Sequence, residues 1–423
     1  MIDISLLRDN PELFKDDLRK RKEPQNIVDD VLKLDKEWRN LLTDRDSLKA
    51  ERNSVNLDIA KLKQAKKPAE KEIKAMQAIA SKIKKADEKT EKKLAERDEL
   101  LCTLPNLMHD SVPPGEDDED NVVIKTVGKK LALKKPLDHI DLGMKHELFD
   151  TERAAKTSGA RFYFLKNEGA ELEMALAQYA MKVMIKEGFT PMIPPVLVRE
   201  EVMYGVGMLP KSRNEIFKIE NEDLYLALTA EHSLGGYLMN ESFEKTELPI
   251  RLAGLSSCFR TEAGSHGRDT KGIFRVHQFQ KVEMFSFTEP EKSWDEHEKL
   301  LAIAEKLVKD LEIPYRVVNI CTGDLGNVAS KKYDIEAWLP GQGKYREIIS
   351  CSNCTDYQAR RLNIKYRPQA GERGIPLHTL NSTALALGRT IVAILENHQQ
   401  ADGTIKVPKV LHPYMSTKVI GKK

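Results

Sequence analysis

The sequence of 423 residues contains no apolar run that approaches the ~20 residues needed to span a bilayer. Its first residues, MIDISLLRDNPELFKDD, also lack the basic start and the apolar core of a secretory signal. Cysteine is scarce: there are five, an odd number without regular spacing, which argues for reduced thiols rather than disulfides. We therefore expect a cytoplasmic protein with no membrane partner.

A strong excess of charge and a paired metal motif are also lacking. The net charge is only +2, so the total charge does not indicate a nucleic-acid partner, although 32% of the residues are charged. Cys351 and Cys354 form a single C-x-x-C without a second pair or a histidine at matching spacing. Cys321 could join them in space, but we expect no zinc. The length and the 40% hydrophobic content suit two or three domains with a sizeable core.

Apolar residues at alternating steps of three and four run from about Ile27 to Lys66, and again from Ile73 to Leu104. This spacing over several heptads is typical of a coiled coil, and Pro68 interrupts it once. We therefore predict an antiparallel hairpin of two long helices. Polar residues interrupt the apolar seam at Arg45, Arg52, Asp87 and Arg97.

Lysines concentrate near the predicted tip of this hairpin, where acidic residues are few. Such lysines can form a solubilising surface, or they can neutralise phosphates without reading a nucleotide sequence. The residues alone leave both interpretations open. The lysines closest to the tip are Lys63, Lys66, Lys67, Lys71 and Lys74.

Proline and glycine end the helical pattern after Leu104, in LPNLMHDSVPPG. Residues 109–150 have the composition of a linker, with an acidic cluster, GEDDED, and then a basic stretch. A mixed helix and strand pattern follows, in which residues 170–187 indicate an amphipathic helix and GFTPMIPPVLV a short extended stretch. We expect three regions: a helical arm over 1–108, a linker over 109–150 and a catalytic domain over 151–423.

The segment from Leu252 to Glu283, LAGLSSCFRTEAGSHGRDTKGIFRVHQFQKVE, indicates two β-strands around a loop that contains Gly264, Gly267 and Gly272. Because successive side chains of a strand alternate between faces, one set shares a face of the first strand: Cys258, Arg260 and Glu262. A second set shares a face of the other strand: Arg275, His277, Phe279, Lys281 and Glu283. Guanidinium groups suit phosphate, a phenyl face suits a flat base, and carboxylates accept from amino or hydroxyl groups. The simpler alternative is a solvated hairpin face with an incidental ion pair.

Three further segments carry residues suited to chemistry. In TLNSTALALGRTIVAILEN, Arg389 is the sole charge of an apolar stretch, and a lone guanidinium there needs an anionic or stacking partner unless the helix face is exposed. In YREIISCSN, Glu347 and Ser350 supply hard oxygens of the kind that Mg²⁺ takes while it keeps some waters. In LALTAEHSL, Thr229 and Glu231 precede a helical run, which is typical of an N-terminal helix cap.

Together these segments resemble the seryl-tRNA synthetases, a family of the class II aminoacyl-tRNA synthetases. The hairpin is similar to the family's motif 2 (F-R-x-E, a loop, R-x-x-x-F), ALALGR to motif 3, and the helix–strand–proline order to motif 1. Both chain ends, MIDISLLRDNPE and ENHQQADGTIKVPKVLHPYM, also resemble the family. The resemblance implies an α+β fold: an N-terminal antiparallel helical coiled-coil hairpin, then a class II domain built on an antiparallel β-sheet flanked by helices. It also implies a homodimer formed through motif 1.

The activity that the resemblance implies is activation of L-serine by ATP to seryl-adenylate, followed by transfer to the 3′ end of serine tRNA. Selenocysteine tRNA is a second candidate partner, and Mg²⁺ would accompany ATP. Arg260 and Arg389 take the catalytic roles, and Glu347 with Ser350 would hold the metal. The implied ATP-binding residues are Arg260, Thr261, Glu262, Arg275, Val276, Phe279, Glu347, Ile348, Ile349, Ser350 and Arg389. The implied serine-binding residues are Thr229, Ala230, Glu231, Arg260, Glu283 and Thr383, and the tip lysines Lys63, Lys66, Lys67, Lys71 and Lys74 would bind tRNA.

The resemblance also distributes these roles. Arg260 would hold the α-phosphate, Arg275 the distal phosphates, and Glu262 the adenine amino group. Phe279 and Arg389 would stack on the two sides of the purine. Serine is common in the family where this chain has Thr383, so that position departs mildly from the pattern.

Two alternatives to this interpretation remain. One is another class II ligase, of the threonyl or prolyl type or an amino-acid:carrier-protein ligase, although a carrier ligase needs no basic hairpin. The other is a non-catalytic coiled-coil RNA-binding protein with a decayed ligase domain. The intact set of charged residues argues against decay: Arg260, Glu262, Arg275, Glu347 and Arg389.

Overall fold

The computed structural model describes residues 1–263, 269, 271–369 and 371–421. The chain forms two compact units, Ile2–Pro105 and Asn106–Lys423, the second together with Met1. None of the helices within the described ranges has both the length and the apolar composition of a bilayer-spanning helix.

The first unit is helical, and the second mixes helices with strands. The α-helices are α1 (Ile4–Asp9), α2 (Pro11–Lys20), α3 (Asn26–Gln64), α4 (Glu70–Leu101), α5 (His139–Lys145), α6 (Thr151–Ser158), α7 (Asn167–Lys186), α8 (Glu200–Gly205), α9 (Ala230–Gly236), α10 (Ser293–Asp310), α11 (Tyr357–Arg361) and α12 (Leu387–His398). The strands are β1 (Val122–Val127), β2 (Phe149–Asp150), β3 (Phe164–Leu165), β4 (Thr190–Met192), β5 (Leu197–Arg199), β6 (Leu224–Leu226), β7 (Ser242–Glu244), β8 (Ile250–Phe259), β9 (Gln278–Thr288), β10 (Tyr315–Asn319), β11 (Lys331–Leu339), β12 (Lys344–Asn353), β13 (Lys365–Arg367), β14 (Ile375–Pro376), β15 (His378–Ala386), β16 (Ile405–Lys406) and β17 (Val419–Ile420). Short 3₁₀ helices cover Asp118–Asp120, Arg213–Glu215, Lys245–Glu247, Pro290–Lys292 and Lys409–Tyr414.

The first unit contains the predicted helical hairpin. Helices α3 and α4 contain 39 and 32 residues, which corresponds to roughly 58 and 48 Å at ~1.5 Å per residue. The turn between them contains Pro68, and Lys66 adopts the left-handed conformation there with φ of 54°. The predicted break at the proline is therefore confirmed.

Polar residues that interrupt the apolar seam pair across the hairpin. Arg45 lies 3.8 Å from Asp87, between a guanidinium nitrogen and a carboxylate oxygen. Arg97 Nη1 lies 3.1 Å from Asp35 Oδ1. Both pairs are symmetric in sequence about Lys66, so they fix the register of the two antiparallel helices. Three of the four seam interruptions are thus cross-helix partners rather than defects in the coiled coil.

Asp35 is the centre of a charged cluster at the base of the hairpin. Its side chain is fully buried and accepts from Arg8 at 2.7 and 2.8 Å, from Arg39 at 3.0 Å and from Arg97 at 3.1 Å. Burial acts to raise the pKa of this carboxyl, but its arginine partners lower the pKa more, and the net shift is downward. The stabilisation is therefore present above the ordinary pKa of aspartate and is lost as the pH falls through the lowered pKa.

We expect Asp35→Asn to destabilise the hairpin by about 3 kcal/mol, because it leaves the buried guanidinium of Arg97 and the partly buried one of Arg8 facing a neutral amide. Hydrogen exchange in α3 and α4 at neutral pH would measure the loss. Asp44→Asn, which changes an exposed acid of the same helix, is the matched control. Equal exchange in both variants would show that Asp35 contributes nothing specific.

The second unit is built on an eight-stranded sheet in the order β1-β10-β11-β12-β15-β9-β8-β4. Neighbouring strands are antiparallel except at one edge, where β4 runs parallel to β8. Helices α7, α10 and α12 cover one face and enclose the main core. On the other face, α9 and α11 cover only one region, where they pack around Phe285 and Phe287. The predicted antiparallel sheet with flanking helices is confirmed, and its second face leaves room for a site.

Successive side chains of β9 alternate between the two faces of the sheet, which explains why one face is apolar and the other carries the candidate site residues. Val282 and Met284 enter the core beneath α7 and α12. Their neighbours Phe279, Lys281 and Glu283 project from the opposite face, where Lys281 and Glu283 are nevertheless buried. The sequence pattern of this strand predicted that arrangement.

The two hairpin strands are shorter than expected, since β8 ends at Phe259 and β9 begins at Gln278. Strand alternation therefore does not govern Arg260, Glu262 or Arg275, and Glu262 has a left-handed φ of 53°. His277 also lies outside β9. Its ring centroid is 5.3 Å from that of Phe162, and its Nδ1 lies 2.9 Å from the Arg260 carbonyl oxygen. Two glycines of the predicted loop, Gly264 and Gly267, fall outside the described residues.

Residues 109–150, which we expected to form a linker, belong to the second unit. They supply β1, which pairs with β10 at the edge of the sheet. An edge strand needs no buried face, and the side chains of Val122, Val123 and Ile124 are indeed about half exposed. The charged runs on either side of this short strand made it resemble a linker in the sequence.

Candidate active site

A cleft with about 560 Å³ of empty space opens on the second face of the sheet. It lies beside the adjoining ends of β8 and β9, the middle of β12 and the start of α12. The residues predicted from the sequence that line it are Arg260, Glu262, Arg275, Val276, Phe279, Glu347, Ile348, Ser350, Thr383 and Arg389. The cleft also contains residues for which the sequence indicated no role: Ile273, Phe274, Lys281, Ala386 and Gly388.

Arg260 follows the last residue of β8 and directs its guanidinium group over the ring of Phe279, 5.3 Å from the ring centroid. Its Nε is buried and has no hydrogen-bond partner within the part of the chain that the structure describes. A buried cationic donor without a partner favours an anionic ligand. The position next to an aromatic ring suits a ligand that combines phosphate with a flat base.

Arg389 lies in the first turn of α12 and has the partners that a lone guanidinium requires. Its Nη1 donates to the Glu347 carbonyl oxygen at 3.0 Å and lies 3.3 Å from that residue's carboxylate. Its guanidinium carbon is 4.9 Å from the centroid of the Phe274 ring. Burial acts to raise the pKa of Glu347, but Arg389, Lys332 and Arg260 lower the pKa more. The Glu347 side chain is half exposed, and we therefore take it as a carboxylate at neutral pH.

One ion pair lines the cleft and a second lies next to its Phe274 ring. Arg275 Nε donates to Glu262 Oε2, and Arg346 Nη1 donates to Asp269 Oδ1 at 2.9 Å. The guanidinium carbon of Arg346 also lies 4.1 Å from the centroid of the Phe274 ring. Arg275 and Glu262, which the resemblance assigns to opposite ends of ATP, are thus partners of each other here. Arg346 was not predicted, although its place directly before Glu347 is a signal that could have indicated it.

Beneath the cleft, Glu283 is held between two side chains. Lys281 Nζ lies 2.5 Å from Glu283 Oε2, and Thr383 Oγ1 on the neighbouring strand β15 donates to the same oxygen at 3.4 Å. Glu283 and Thr383 are direct cross-strand neighbours. Lys281 received no role from the sequence, although it shares a strand face with Phe279 and Glu283. This buried group can bind a small polar ligand that carries a hydroxyl or an ammonium group.

The segment Thr229–Glu231 begins α9. Thr229 is its N-cap, and Thr229 Oγ1 accepts from the Glu231 backbone N–H at 3.2 Å. Ala230 packs with its side chain in the apolar cluster of this face. Glu231 accepts from Gln358 Nε2 at 2.8 Å. Burial, and then the nearby charge of Glu283, raise the pKa of Glu231 to about 7, so this carboxyl titrates near neutrality beside Glu283.

Two of the residues assigned to ATP have side chains engaged elsewhere. Thr261 Oγ1 donates to the Asn214 carbonyl oxygen at 2.6 Å. Ile349 lies in the main core, opposite Ile335 of β11. Like Ala230, these residues could contact a ligand through their backbone atoms.

Strand β12 places hard oxygens in the cleft, and its neighbour β11 carries further ones beside them. Glu347 and Ser350 line the cleft, and their cross-strand partners on β11 are Glu336 and Asp334. Asp334 Oδ1 is buried without a hydrogen-bond partner among the residues described, and burial above all raises the Asp334 pKa to about 8. Glu347 and Ser350 fit a Mg²⁺ ion that keeps waters and takes further oxygens from phosphate. Across the described ranges there is no group of three or more His, Cys, Asp or Glu side chains placed to hold a metal.

The lysine cluster of the first unit lies at the end of the hairpin. The five lysines, Lys63, Lys66, Lys67, Lys71 and Lys74, are all exposed. None of them forms an ion pair with another residue in the described part of the chain. Their positive charge is therefore available to an external anion.

Both units match models of known protein families. The profile described as "Seryl-tRNA synthetase N-terminal domain" matches residues 1–108, and "tRNA synthetase class II core domain (G, H, P, S and T)" matches residues 216–398. A serine–tRNA ligase of Thermoplasma volcanium is 47% identical over the full length of both chains. The chain belongs to the seryl-tRNA synthetase family. It is an aminoacyl-tRNA synthetase of class II, as the sequence motifs predicted.

Solved structures of this family agree with the fold. The crystal structure of seryl-tRNA synthetase from Pyrococcus horikoshii complexed with ATP is 48% identical, covers 99% of both chains and gives a TM-score of 0.92. That of the cytoplasmic serine–tRNA ligase from Naegleria fowleri in complex with AMP is 35% identical, covers 99% of this chain and 98% of the other, and gives a TM-score of 0.87.

Proposed function

We propose that this chain activates L-serine with ATP and transfers the serine to the 3′ end of serine tRNA. The observation that carries the proposal is the juxtaposition of two groups. Arg260, with its unpartnered buried donor, lines the cleft, and so does Thr383, which hydrogen-bonds the buried Glu283 beneath it. Family membership over the whole chain favours serine over the substrates of other class II ligases.

In the first step, the serine carboxylate attacks the α-phosphorus of ATP and pyrophosphate leaves. Arg260 stabilises the negative charge that develops on the α-phosphate, and Arg275 binds the distal phosphates. Phe279 and Arg389 stack on the purine from two sides, and Glu262 accepts from its amino group. The chain contributes positioning and charge neutralisation rather than a covalent nucleophile.

In the second step, a terminal ribose hydroxyl of tRNA attacks the acyl carbon of seryl-adenylate and AMP leaves. The arm would bind the tRNA through phosphate contacts made by Lys63, Lys66, Lys67, Lys71 and Lys74. Such contacts orient a nucleic acid without reading its sequence. The same surface could accept selenocysteine tRNA.

Selection of serine follows from the buried polar group beneath the phosphates. Glu283 would accept from the serine hydroxyl, and Glu231 would pair with the serine ammonium group. Alanine offers Glu283 no hydroxyl donor, and the contacts of Lys281 and Thr383 go to one carboxylate oxygen of Glu283 only. A site built to hydrogen-bond a hydroxyl strongly rejects an analogue that lacks it. Thr383 would limit the space that the extra methyl group of threonine needs.

Magnesium is the metal that the donor set suits. Glu347 and Ser350 would hold Mg²⁺, which supplies neutralisation of phosphate charge when it is bound. Arg389 keeps the Glu347 side chain beside the cleft through its two contacts.

A homodimer and a cytoplasmic location complete the proposal. Apolar side chains on α7 and just beyond β4, the elements that match motif 1, are exposed in the single chain: Met174, Ile185 and Ile193. Their burial against a second copy would remove an unfavourable contact with water. All five cysteines are free thiols, which supports a reducing compartment.

The test is exchange of labelled pyrophosphate into ATP, which should depend on serine and should be slower with threonine, proline or glycine. We expect Glu283→Ala to raise the KM for serine roughly 10- to 100-fold, because a hydrogen bond to a charged group contributes ~1.5–3 kcal/mol. The KM for ATP should change little. Glu289→Ala, which removes another buried ion-paired carboxylate, is the control. Faster exchange with another amino acid would refute serine as the substrate.

A further inference from the structure

A buried glutamine, Gln358, hydrogen-bonds the carboxylate of Glu231. Gln358 lies on α11, is fully buried, and uses both polar ends of its side chain. Its Nε2 donates to Glu231 Oε1 at 2.8 Å and to the Val206 carbonyl oxygen at 3.0 Å. Its Oε1 accepts from Thr379 Oγ1 at 2.7 Å. No motif of the sequence indicated this residue.

The partners of Gln358 determine which way its amide group points. The Val206 carbonyl can only accept, so it requires the NH₂ end of the amide. With that end fixed, the oxygen must face Thr379, whose hydroxyl donates to it. Gln358 therefore presents a donor, and never an acceptor, to Glu231. A donor interacts more strongly with a carboxylate than with a neutral carboxylic acid.

A donor to Glu231 matters because the surroundings of this residue destabilise its ionised carboxylate. Burial and the neighbouring Glu283 raise its pKa to about 7, whereas Gln358, Lys281 and Arg260 act to lower the pKa. Burial, and then the nearby charge of Glu231, raise the pKa of the Cys354 thiol, which leaves the thiol neutral. On its own helix, the buried imidazole of His232 has a pKa lowered to about 3 by burial and by Lys281 and Arg260, so it adds no positive charge.

We propose that Gln358 is a positioning residue for serine recognition: it holds Glu231 in place and keeps it in the carboxylate form that pairs with the ammonium group of the amino acid. The inference rests on the proposed function, since it assigns Glu231 to the serine ammonium group. Gln358 contacts no substrate itself. It acts through Glu231, from a helix on the far side of that carboxylate.

The first test is Gln358→Met, which keeps the length of the side chain and removes the donor. The ammonium group binds Glu231 in the ground state and in the transition state alike, so its loss raises KM more than it lowers kcat. We expect the KM for serine to rise roughly tenfold in serine-dependent ATP–pyrophosphate exchange. The KM for ATP should stay within about twofold.

The pH profile separates positioning from general damage. In the unmodified protein, the KM for serine should rise as the pH falls through the pKa of Glu231, which is about 7. Loss of a donor that lowers this pKa moves the rise to higher pH. The defect of Gln358→Met should therefore be largest near neutrality and shrink in alkaline solution.

Two further variants complete the experiment. Thr379→Val removes the hydroxyl that anchors Gln358 and keeps the shape of the side chain. The KM for serine should therefore rise less than in Gln358→Met, with the same dependence on pH. Gln399→Met is the matched control, since Gln399 is buried and its amide bonds Leu137 and Glu396 instead of a residue of the site. It should leave the KM for serine unchanged.

An unchanged KM for serine in folded Gln358→Met, or equal rises of both KM values without a pH shift, would overturn the inference while the proposed function stands. If Gln358→Met does not fold, the same criteria apply to Thr379→Val: an unchanged KM for serine, or equal rises of both KM values without a pH shift, would overturn the inference. If the unmodified protein shows no serine-dependent exchange, the proposed function fails, and this inference fails with it.

Discussion

Arg389→Ala should lower serine-dependent ATP–pyrophosphate exchange about a hundredfold while the protein remains folded, because loss of a stacking face for a base typically costs ~1–3 kcal/mol and loss of the positive charge beside Glu347 adds to it. Arg389 lies between the Phe274 ring and Glu347. Its removal takes away one side of the proposed purine site and the positive charge that keeps Glu347 ionised. Arg260→Ala removes the donor to the charge that develops on the α-phosphate, and it should lower exchange about a hundred- to a thousandfold, since loss of one such donor typically costs ~2.7–4 kcal/mol.

The chemistry of the guanidinium provides the control for this prediction. Arg389→Lys keeps the positive charge beside Glu347 but loses the planar group that can stack on a base. It should recover part of the rate and leave the KM for ATP raised. Arg153→Ala, which removes an exposed arginine paired with Asp150, should behave like the unmodified protein. Near-normal exchange in a folded Arg389→Ala protein would exclude the proposed role.

The features that the sequence predicted are those set by local periodicity. The 3–4 spacing predicted α3 and α4, and Pro68 predicted the turn between them. In the sheet, alternation in β9 predicted that Phe279 and Glu283 share a face with Lys281. These patterns work because neighbouring residues of one element have a fixed geometric relationship, whatever the rest of the chain does.

The features that the sequence could not indicate depend on contacts between distant segments. Gln358 meets Glu231 only because α11 and α9 both pack on the apolar cluster that contains Phe285 and Phe287. The partner of Arg97 is Asp35, on the opposite helix of the hairpin. Short strands add a second difficulty, since β1 lies at a sheet edge and needs no apolar face. Composition therefore assigned residues 109–150 to a linker.

The helical arm gives the other large effect that we expect. A protein that lacks residues 2–105, and begins with methionine followed by Asn106, should still form seryl-adenylate but should fail to charge tRNA efficiently. The second unit is compact and has its own core, so it should fold without the first. The deletion removes α1 and α2 together with the hairpin because all four helices belong to one unit. ATP–pyrophosphate exchange and acylation of tRNA, measured on the same preparation, separate the two steps.

Substitution of the tip lysines tests the same idea within the full chain. Replacing Lys66, Lys67, Lys71 and Lys74 with glutamine should weaken tRNA binding at low salt and flatten its salt dependence. If each lysine meets one phosphate, the slope of log K against log[salt] should fall by about three, since each neutralised phosphate contributes ~0.7–0.9. Exchange without tRNA should be unaffected.

The matched control replaces exposed lysines of the arm that lie far from the tip in sequence: Lys33, Lys36 and Lys92. These substitutions lower the net charge of the arm almost as much, so a general loss of positive charge would weaken tRNA binding in both proteins. Phosphate contacts at the tip predict that only the tip variant loses both affinity and salt dependence. An armless protein that charges tRNA with unchanged efficiency would contradict this account, and the exposed lysines would then serve as a solubilising surface.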